Sequence, residues 1–237
     1  MLLKSNFEIS DVEWASKHDG ETVVVMGNGL SLNDVPRELL VKYSTFGTNH
    51  IYLMGVQPRY YVCVDTRVLE NYGKEIRNVA AGADIAFLSD ELLVSPVKST
   101  SVLYELPNVH ISNEATVRFP GEYWWTGGTS TYVSLKIAYA MGFKTVLLVG
   151  CDRDKGWLHF SDDYPGDVAP MDYRKKQAYH FGIARLVYDD AERHIINLSP
   201  PSDLDEFIER GRIEDWAQDD WVLDKNQQWR LLSEVRR

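Results

Sequence analysis

Hydrophobic residues in this chain fall into short runs that are separated by longer stretches of mixed polar and apolar residues. Residues 23–26, residues 60–64 and Thr145–Val149 form such runs, rich in β-branched or aromatic side chains. Short apolar runs of this kind are typical of strands that are buried on both faces. Weaker runs predict further strands at Ser44–Thr48 and at residues 84–88, 103–111 and 195–198.

The stretches between these runs predict helices. Apolar residues recur at helical spacing in four stretches, which are residues 35–42, 68–76, 129–141 and 173–190. Strands that alternate with helices predict a single α/β domain with a mostly parallel, Rossmann-like sheet and helices on both faces. We assign residues 22–200 to this core. Residues 201–237 are acidic, contain Trp216, Trp221 and Trp229, and are expected to form a helical tail docked by its tryptophans.

Polar or glycine-rich segments directly follow several predicted strands. These segments are residues 27–29, Asn49 with His50, Asp65 with Thr66, and Asp152 with Arg153. The carboxyl ends of parallel strands share one edge of a sheet, and ligands bind at that edge. The helix that begins near Thr129 starts at the same edge, so its N-terminal dipole and the hydroxyls of Thr129 and Ser130 face it. One polar residue at a strand end is usually a helix cap, but five placements on one edge indicate a binding site.

The glycine turn after the first strand is the clearest candidate for an anion site. The apolar strand runs straight into Gly27, Asn28 and Gly29, and Ser31 follows. Backbone N–H groups at such a strand-to-helix turn commonly bind phosphate. Glycine also lets the backbone approach a ligand closely, because it has no Cβ. A tight turn between a core strand and a helix needs no ligand, however, so the turn alone leaves both interpretations open.

Composition and charge exclude several classes of function. The 237 residues are 44% hydrophobic, which is enough for one sizeable core, and the net charge of −10 disfavours non-specific binding to nucleic acid or an anionic membrane. Cys63 and Cys151 lie in apolar runs, which indicates buried thiols in a reducing compartment. The sequence shows no signal peptide and no apolar run of about 20 residues, so we expect a cytoplasmic protein without a membrane span.

Motifs for common cofactors are missing from the sequence. No lysine follows the glycine turn as it does in P-loop enzymes, and Asn49 stands where a Rossmann dehydrogenase carries an acidic residue. No paired cysteine or histidine spacing indicates zinc. We therefore predict no metal and no required cofactor.

Residues 27–32 resemble the Gly-Asn-Gly-Pro-Ser-Leu opening of the Rossmann-like bacterial sialyltransferases. They also resemble the opening of a broader family of glycosyltransferase-like proteins that contains the archaeal 6-hydroxymethylpterin diphosphokinases. Further blocks at residues 48–52, 58–65 and 127–152 match in the same order. The resemblance covers roughly residues 22–200, and its specificity lies in the order and spacing of these blocks.

The sialyltransferase resemblance implies a cleft for a nucleotide-sugar. The residues that it assigns to the nucleotide, its phosphate or the sugar are Gly27, Asn28, Gly29, Ser31, Asn49, Gly128, Thr129, Ser130, Tyr164 and Tyr173. It also implies a histidine that acts as general base near the long helix, where this chain has residues 172–175 without a histidine. His159 is the nearest loop histidine, and we expect the loop at residues 153–172 to close as a lid and supply it. A second departure is Leu30, which replaces the proline of the family.

Asp65 and Asp152 separate the alternatives. Under the diphosphokinase resemblance they would hold Mg²⁺ on ATP, and the substrate would be a pterin-like alcohol. Under the transferase resemblance no metal is needed, and the two aspartates would orient substrate hydroxyls or cap loops. We favour transfer of a sugar to a hydroxyl of a small molecule or glycan. A third hypothesis is a non-catalytic nucleotide-binding or assembly protein that forms homo-oligomers through its tryptophan-rich tail.

Overall fold

A parallel β-sheet forms the centre of the protein. The computed structural model describes residues 16–89, 102–106, 128–153, 158–165, 171–217, 221–223 and 229–231. Within them the sheet has eight strands, which are β1 (Thr22–Met26), β2 (Ser44–Thr48), β3 (Tyr60–Cys63), β4 (Ile85–Ser89), β5 (Val102–Leu106), β6 (Thr145–Val149), β7 (His194–Asn197) and β8 (Glu209–Arg210). Their order is β5-β4-β3-β2-β1-β6-β7-β8, and each neighbouring pair runs parallel. This confirms the α/β class and the mostly parallel sheet.

Both faces of the sheet are buried, which explains the uninterrupted apolar runs. The helices are α1 (Arg37–Lys42), α2 (Thr66–Asn71), α3 (Gly73–Gly82), α4 (Ser130–Ala140), α5 (Met171–Asp190) and α6 (Ile213–Ala217). Val23 and Val25 of β1 pack in the core cluster that includes residues of α4 and α5. Val24 and Met26 pack in the cluster on the other face, with residues of α1 and α3. All four side chains are fully buried, because alternate residues of a strand point to opposite faces.

Several predicted helices have different limits in the structure. A 3-10 helix at Leu30–Asp34 follows the glycine turn, and α1 begins only after Pro36. The helix predicted for residues 68–76 is two helices, α2 and α3, which meet at Tyr72. Thr129 caps α4, since its Oγ1 accepts the Thr131 N–H at 3.3 Å.

The tail is less helical than the sequence predicts. Its only α-helix within the described residues is the five-residue α6, and two further segments, β9 (Trp221–Leu223) and β10 (Trp229–Leu231), form an antiparallel pair. Trp216 docks on α1 as expected: its ring lies 6.5 Å from that of Tyr43, and its carbonyl accepts a hydrogen bond from Lys42 Nζ at 3.2 Å. Across the described segments, no helix combines the length and the apolar character that a membrane span requires.

The connections between strands reverse direction beside β1. From β1 the chain builds β2 to β5 on one side of the sheet and then places β6 on the other side of β1. The carboxyl ends of β1 and β6 are therefore the topological switch point, the position at which parallel sheets of this kind bind ligands. The loops that form it are residues 27–29 and 150–152.

Candidate functional site

The loops after β1 and β6 pack directly against each other. The Gly27 N–H donates to the Val149 carbonyl at 2.8 Å, and the Gly29 N–H donates to the Gly150 carbonyl at 2.7 Å. A Cβ atom on Gly27 would lie 2.4 Å from the Gly150 carbonyl oxygen. The neighbouring protein loop by itself therefore requires a glycine at this position.

Asp152 supplies a negative charge to the glycine turn. Its Oδ2 atom accepts the Ser31 N–H at 2.7 Å, and a Cβ atom on Gly29 would lie 2.1 Å from the same oxygen. The N–H group that the sequence offered to a phosphate is therefore bonded to a carboxylate of the protein. This contact is the loop-capping role that was one of the two alternatives for Asp152.

Asp65 caps a helix. Its Oδ1 atom accepts the Arg67 N–H at 3.0 Å, and its Oδ2 atom pairs with the Arg67 guanidinium at 3.1 Å. Among the described residues, no group of three or more His, Cys, Asp or Glu side chains could hold a metal ion. Asp65 thus caps α2, and Asp152 caps the glycine turn.

Two asparagines and a serine join the first two strands to α4. Asn28 Nδ2 donates to the Thr48 carbonyl at 3.1 Å and to Thr48 Oγ1 at 2.8 Å. Ser130 Oγ, at the start of α4, donates to Asn49 Oδ1 at 2.8 Å. Asn49 has a φ of 46°, in the left-handed region that asparagine tolerates better than most residues. These contacts bring Asn28, Asn49 and Ser130 to one edge, as the sequence predicted.

The loop at residues 158–165 docks on the glycine turn and brings His159 with it. The Asn28 carbonyl accepts the Phe160 N–H at 3.2 Å and lies 3.0 Å from His159 Nδ1. Asn33 Nδ2 donates to the Phe160 carbonyl at 2.8 Å. Because a carbonyl can only accept, His159 Nδ1 carries the proton, and Nε2 is left with a lone pair. Burial lowers the pKa of His159, so the neutral form dominates at neutral pH.

Aromatic rings surround His159 and a second histidine. The ring of Tyr164 stacks on that of His159, with centroids 3.6 Å apart, and the Tyr164 hydroxyl interacts with the Asn49 side chain. The His50 ring lies 4.6 Å from Tyr164, and burial lowers the pKa of His50 to about 4. The sequence assigned no role to His50, although its position beside Asn49 at a strand end was a usable signal.

Two polar atoms at the switch point have no hydrogen-bond partner in the described part of the chain. Asn28 Oδ1 and Ser31 Oγ are buried, and neither finds a hydrogen-bond partner among the residues that the structure describes. Buried polar groups are almost always hydrogen-bonded, because an unpaired one costs roughly 1–3 kcal/mol. Both oxygens have unused capacity to accept a hydrogen bond.

A network that the sequence did not reveal supports the start of α4. Gln177 Nε2 of α5 donates to the Gly128 carbonyl at 2.8 Å and accepts at Oε1 from Arg153 Nη1 at 3.0 Å. The Arg153 guanidinium also forms a two-point contact with Asp203. Tyr173 lies in the first turn of α5, and its side chain is outside the described residues. Of the loop predicted as a lid, residues 154–157 and 166–170 are outside them as well.

Comparisons with known proteins identify the fold. No protein-family model and no curated protein matches the sequence. The structure of the sialyltransferase CstII from Campylobacter jejuni with cytidine-5′-monophosphate is similar, with a TM-score of 0.53 and 15% identity over 82% of this chain and 86% of that chain. The same enzyme with CMP-3FNeuAc gives a TM-score of 0.53 and 19% identity over 80% and 86%. At this identity the likeness establishes a sialyltransferase-like fold, and these structures give no support to the diphosphokinase resemblance.

Proposed function

We propose that this protein is a glycosyltransferase that binds a nucleotide-sugar at the switch point and transfers the sugar to a hydroxyl group. The observation that carries the proposal is the double role of Asn28. Its side-chain oxygen is buried without a partner in the described structure, and its carbonyl oxygen holds His159 in a defined tautomer. Asn28 thus connects the proposed donor site to His159, the proposed base for the acceptor.

The polar groups at the switch point match the hydrogen-bonding groups and the charge of a nucleotide. Ribose hydroxyls and nucleobase amino groups are donors, which suit Asn28 Oδ1 and Ser31 Oγ. The start of α4, with Thr129 and Ser130, favours the phosphate, because a helix N-terminus attracts negative charge. Gly27 and Gly29 would contribute only the shape of the turn, since neighbouring loops occupy the space beside them.

Other predicted contacts extend this assignment. Asn49 would reach the sugar or the nucleotide, and Tyr164 and Tyr173 would contact the phosphate. Asp65 and Asp152 would act indirectly, by capping α2 and the glycine turn. The structures with a similar fold contain CMP and CMP-3FNeuAc, so cytidine nucleotides are the first ligands to test.

His159 is suited to remove the acceptor proton. Its Nε2 lone pair takes the hydroxyl proton while the acceptor oxygen attacks the anomeric carbon of the donor. The bond between that carbon and the phosphate oxygen breaks, and its electron pair leaves with the nucleotide. A positioned base of this kind contributes roughly 10²–10⁴-fold to the rate. The docked loop fixes the imidazole through the Asn28 carbonyl, so the base is oriented before the substrates arrive.

The decisive experiment separates donor binding from catalysis. Titration calorimetry of the wild type with CMP, UDP, GDP and ATP, each with and without Mg²⁺, identifies the nucleotide, and a transfer assay uses the corresponding nucleotide-sugar. His159→Gln is expected to bind the nucleotide normally and to lose transfer by about 100-fold or more. His194→Gln, at an exposed histidine on β7, is the matched control and should retain both.

Two results would contradict the proposal. One is unchanged sugar transfer by His159→Gln. The other is binding of ATP alone, dependent on Mg²⁺, which would point to phosphoryl transfer instead.

A further inference from the structure

Tyr164 contacts the rings of two histidines, His159 and His50. Its ring is stacked on His159, with centroids 3.6 Å apart and planes 20° from parallel. The His50 ring meets it almost at a right angle, at 4.6 Å and 75°. Tyr164 is itself largely buried, and its hydroxyl is engaged with Asn49. The ring of Tyr164 is therefore held on several sides and cannot turn without breaking these contacts.

A parallel stack presents the face of the tyrosine ring to the imidazole. The face of an aromatic ring carries negative charge density and attracts a cation placed over it. If His159 takes a proton from the acceptor, its imidazole becomes a cation against this face. The stack therefore stabilises the state of His159 that forms during the proposed reaction more than the state that precedes it.

His50 supports this arrangement only if it stays neutral. It is 2% exposed, its Nδ1 atom lies 2.8 Å from the Tyr52 hydroxyl, and the ring of Tyr72 lies 4.7 Å away. The titratable side chains that affect the pKa of His50 are Asp65, Glu75 and His159. Burial outweighs the two acids and keeps the pKa of His50 at about 4. His50 thus packs against Tyr164 without placing a second positive charge beside His159.

We propose that Tyr164 is a positioning residue that stabilises the protonated form of His159 through its ring face, and that neutral His50 holds Tyr164 in that position. The catalytic consequence rests on the proposed function, in which His159 is the base. The coupling between the two rings does not, because it exists in the free protein. The two can therefore be tested separately.

The test is an NMR titration of His159 in the full chain, without ligand. Tyr164→Leu keeps an apolar side chain over the imidazole but removes the ring face, so it should lower the pKa of His159 by about half a unit. Tyr164→Phe keeps the face and should retain the wild-type pKa of His159. Tyr164→Met, which also fills space without a ring, protects the test against a folding defect of the leucine variant. Tyr179→Leu, at an exposed tyrosine on α5, is the matched control.

Kinetics provide the second measurement. Tyr164→Leu is expected to have a severalfold lower kcat than Tyr164→Phe. The KM for the donor should be the same in these two variants, because both lack the tyrosine hydroxyl. An unchanged pKa of His159 in both the leucine and methionine variants would overturn the inference, and so would a phenylalanine variant that behaves like them. If the wild type transfers no sugar but the pKa shift is seen, the proposed function fails and the coupling of Tyr164 to His159 stands.

Discussion

The Oδ2 atom of Asp152 lies 2.7 Å from the backbone nitrogen of Ser31 and accepts its N–H. The loop after β6 thereby gives the glycine turn the negative charge that a bound phosphate brings to such turns in nucleotide-binding folds. Like charges repel, so under the proposed function the phosphate would bind away from the turn, at the start of α4. In that arrangement Asn28 Oδ1 and Ser31 Oγ would face uncharged parts of the nucleotide-sugar.

Because Gly29 packs closely against Asp152, substitutions at the two positions should have coupled effects on the free energy of unfolding. A Cβ atom on Gly29 would overlap Asp152 Oδ2 at 2.1 Å, so Gly29→Ala should lower the free energy of unfolding by about 1–3 kcal/mol. In an Asp152→Gly background, the same change should cost much less, because the overlapping side chain is gone. Urea unfolding of the four proteins measures the coupling. Gly73→Ala, where the added Cβ meets only ordinary contacts, is the control. Additive effects would contradict the predicted overlap.

The pair Arg153–Asp203 is expected to contribute more to stability than a surface pair. The Arg153 side chain is only 9% exposed and that of Asp203 is 32% exposed, so Asp203→Ala would remove a two-point charged contact from a buried guanidinium. We expect a loss of about 2–3 kcal/mol in the free energy of unfolding. Asp84→Ala is the control, because the Arg59–Asp84 pair is 49% and 61% exposed and should be worth about 1 kcal/mol or less. Equal losses of unfolding free energy in Asp203→Ala and Asp84→Ala, measured by chemical denaturation, would contradict this prediction.

Stability should fall at acidic pH because of His50. The unfolded chain protonates this histidine near its ordinary pKa of 6.5, whereas the folded protein does so only at about 4. Between these values the unfolded state binds more protons, so the free energy of unfolding rises with pH by up to about 1.4 kcal/mol per unit. The lowered pKa values of His159 and His180 act in the same direction.

The pH dependence can be assigned by substitution. His50→Gln should flatten the slope between pH 4 and 6.5 in a series of urea titrations. His194→Gln, at an exposed position, should leave the slope as it is. A wild-type slope in the His50 variant would show that other groups cause the acid sensitivity.

Docking of the His159 loop depends on Asn33. Asn33 is exposed, and its side-chain Nδ2 donates to the Phe160 carbonyl at 2.8 Å. Removing a hydrogen bond worth about 1 kcal/mol in Asn33→Ala should speed amide exchange in residues 158–165 by roughly fivefold. Exchange in β1 should not change, because the sheet does not depend on this contact. If amide exchange in the loop is the same in Asn33→Ala as in the wild type, the hydrogen bonds of Phe160 N–H and His159 Nδ1 to the Asn28 carbonyl are sufficient to hold the loop.

The sequence determined the architecture because burial leaves a local pattern. The strands predicted at Ser44–Thr48 and Thr145–Val149 have the limits of β2 and β6, and the polar residues after the strands lie at one edge because parallel strands end together. The tail was less predictable, since α6 is short and, among the described residues, the strands β9 and β10 pair with each other alone. Tryptophans five and eight residues apart do not distinguish a docked helix from a short antiparallel pair.

Only the tertiary structure decided what each residue at that edge contacts. Asp152 and Ser31 are 121 residues apart in the chain, and His159 is 131 residues from Asn28. The sequence marked Gly29 and Asp152 as candidates for a ligand, but not that they meet each other. It left His50 without a role, because its ring contacts arise from segments that come together only on folding. A local pattern reports how deeply a residue is buried, whereas its partner is set by the packing of distant segments.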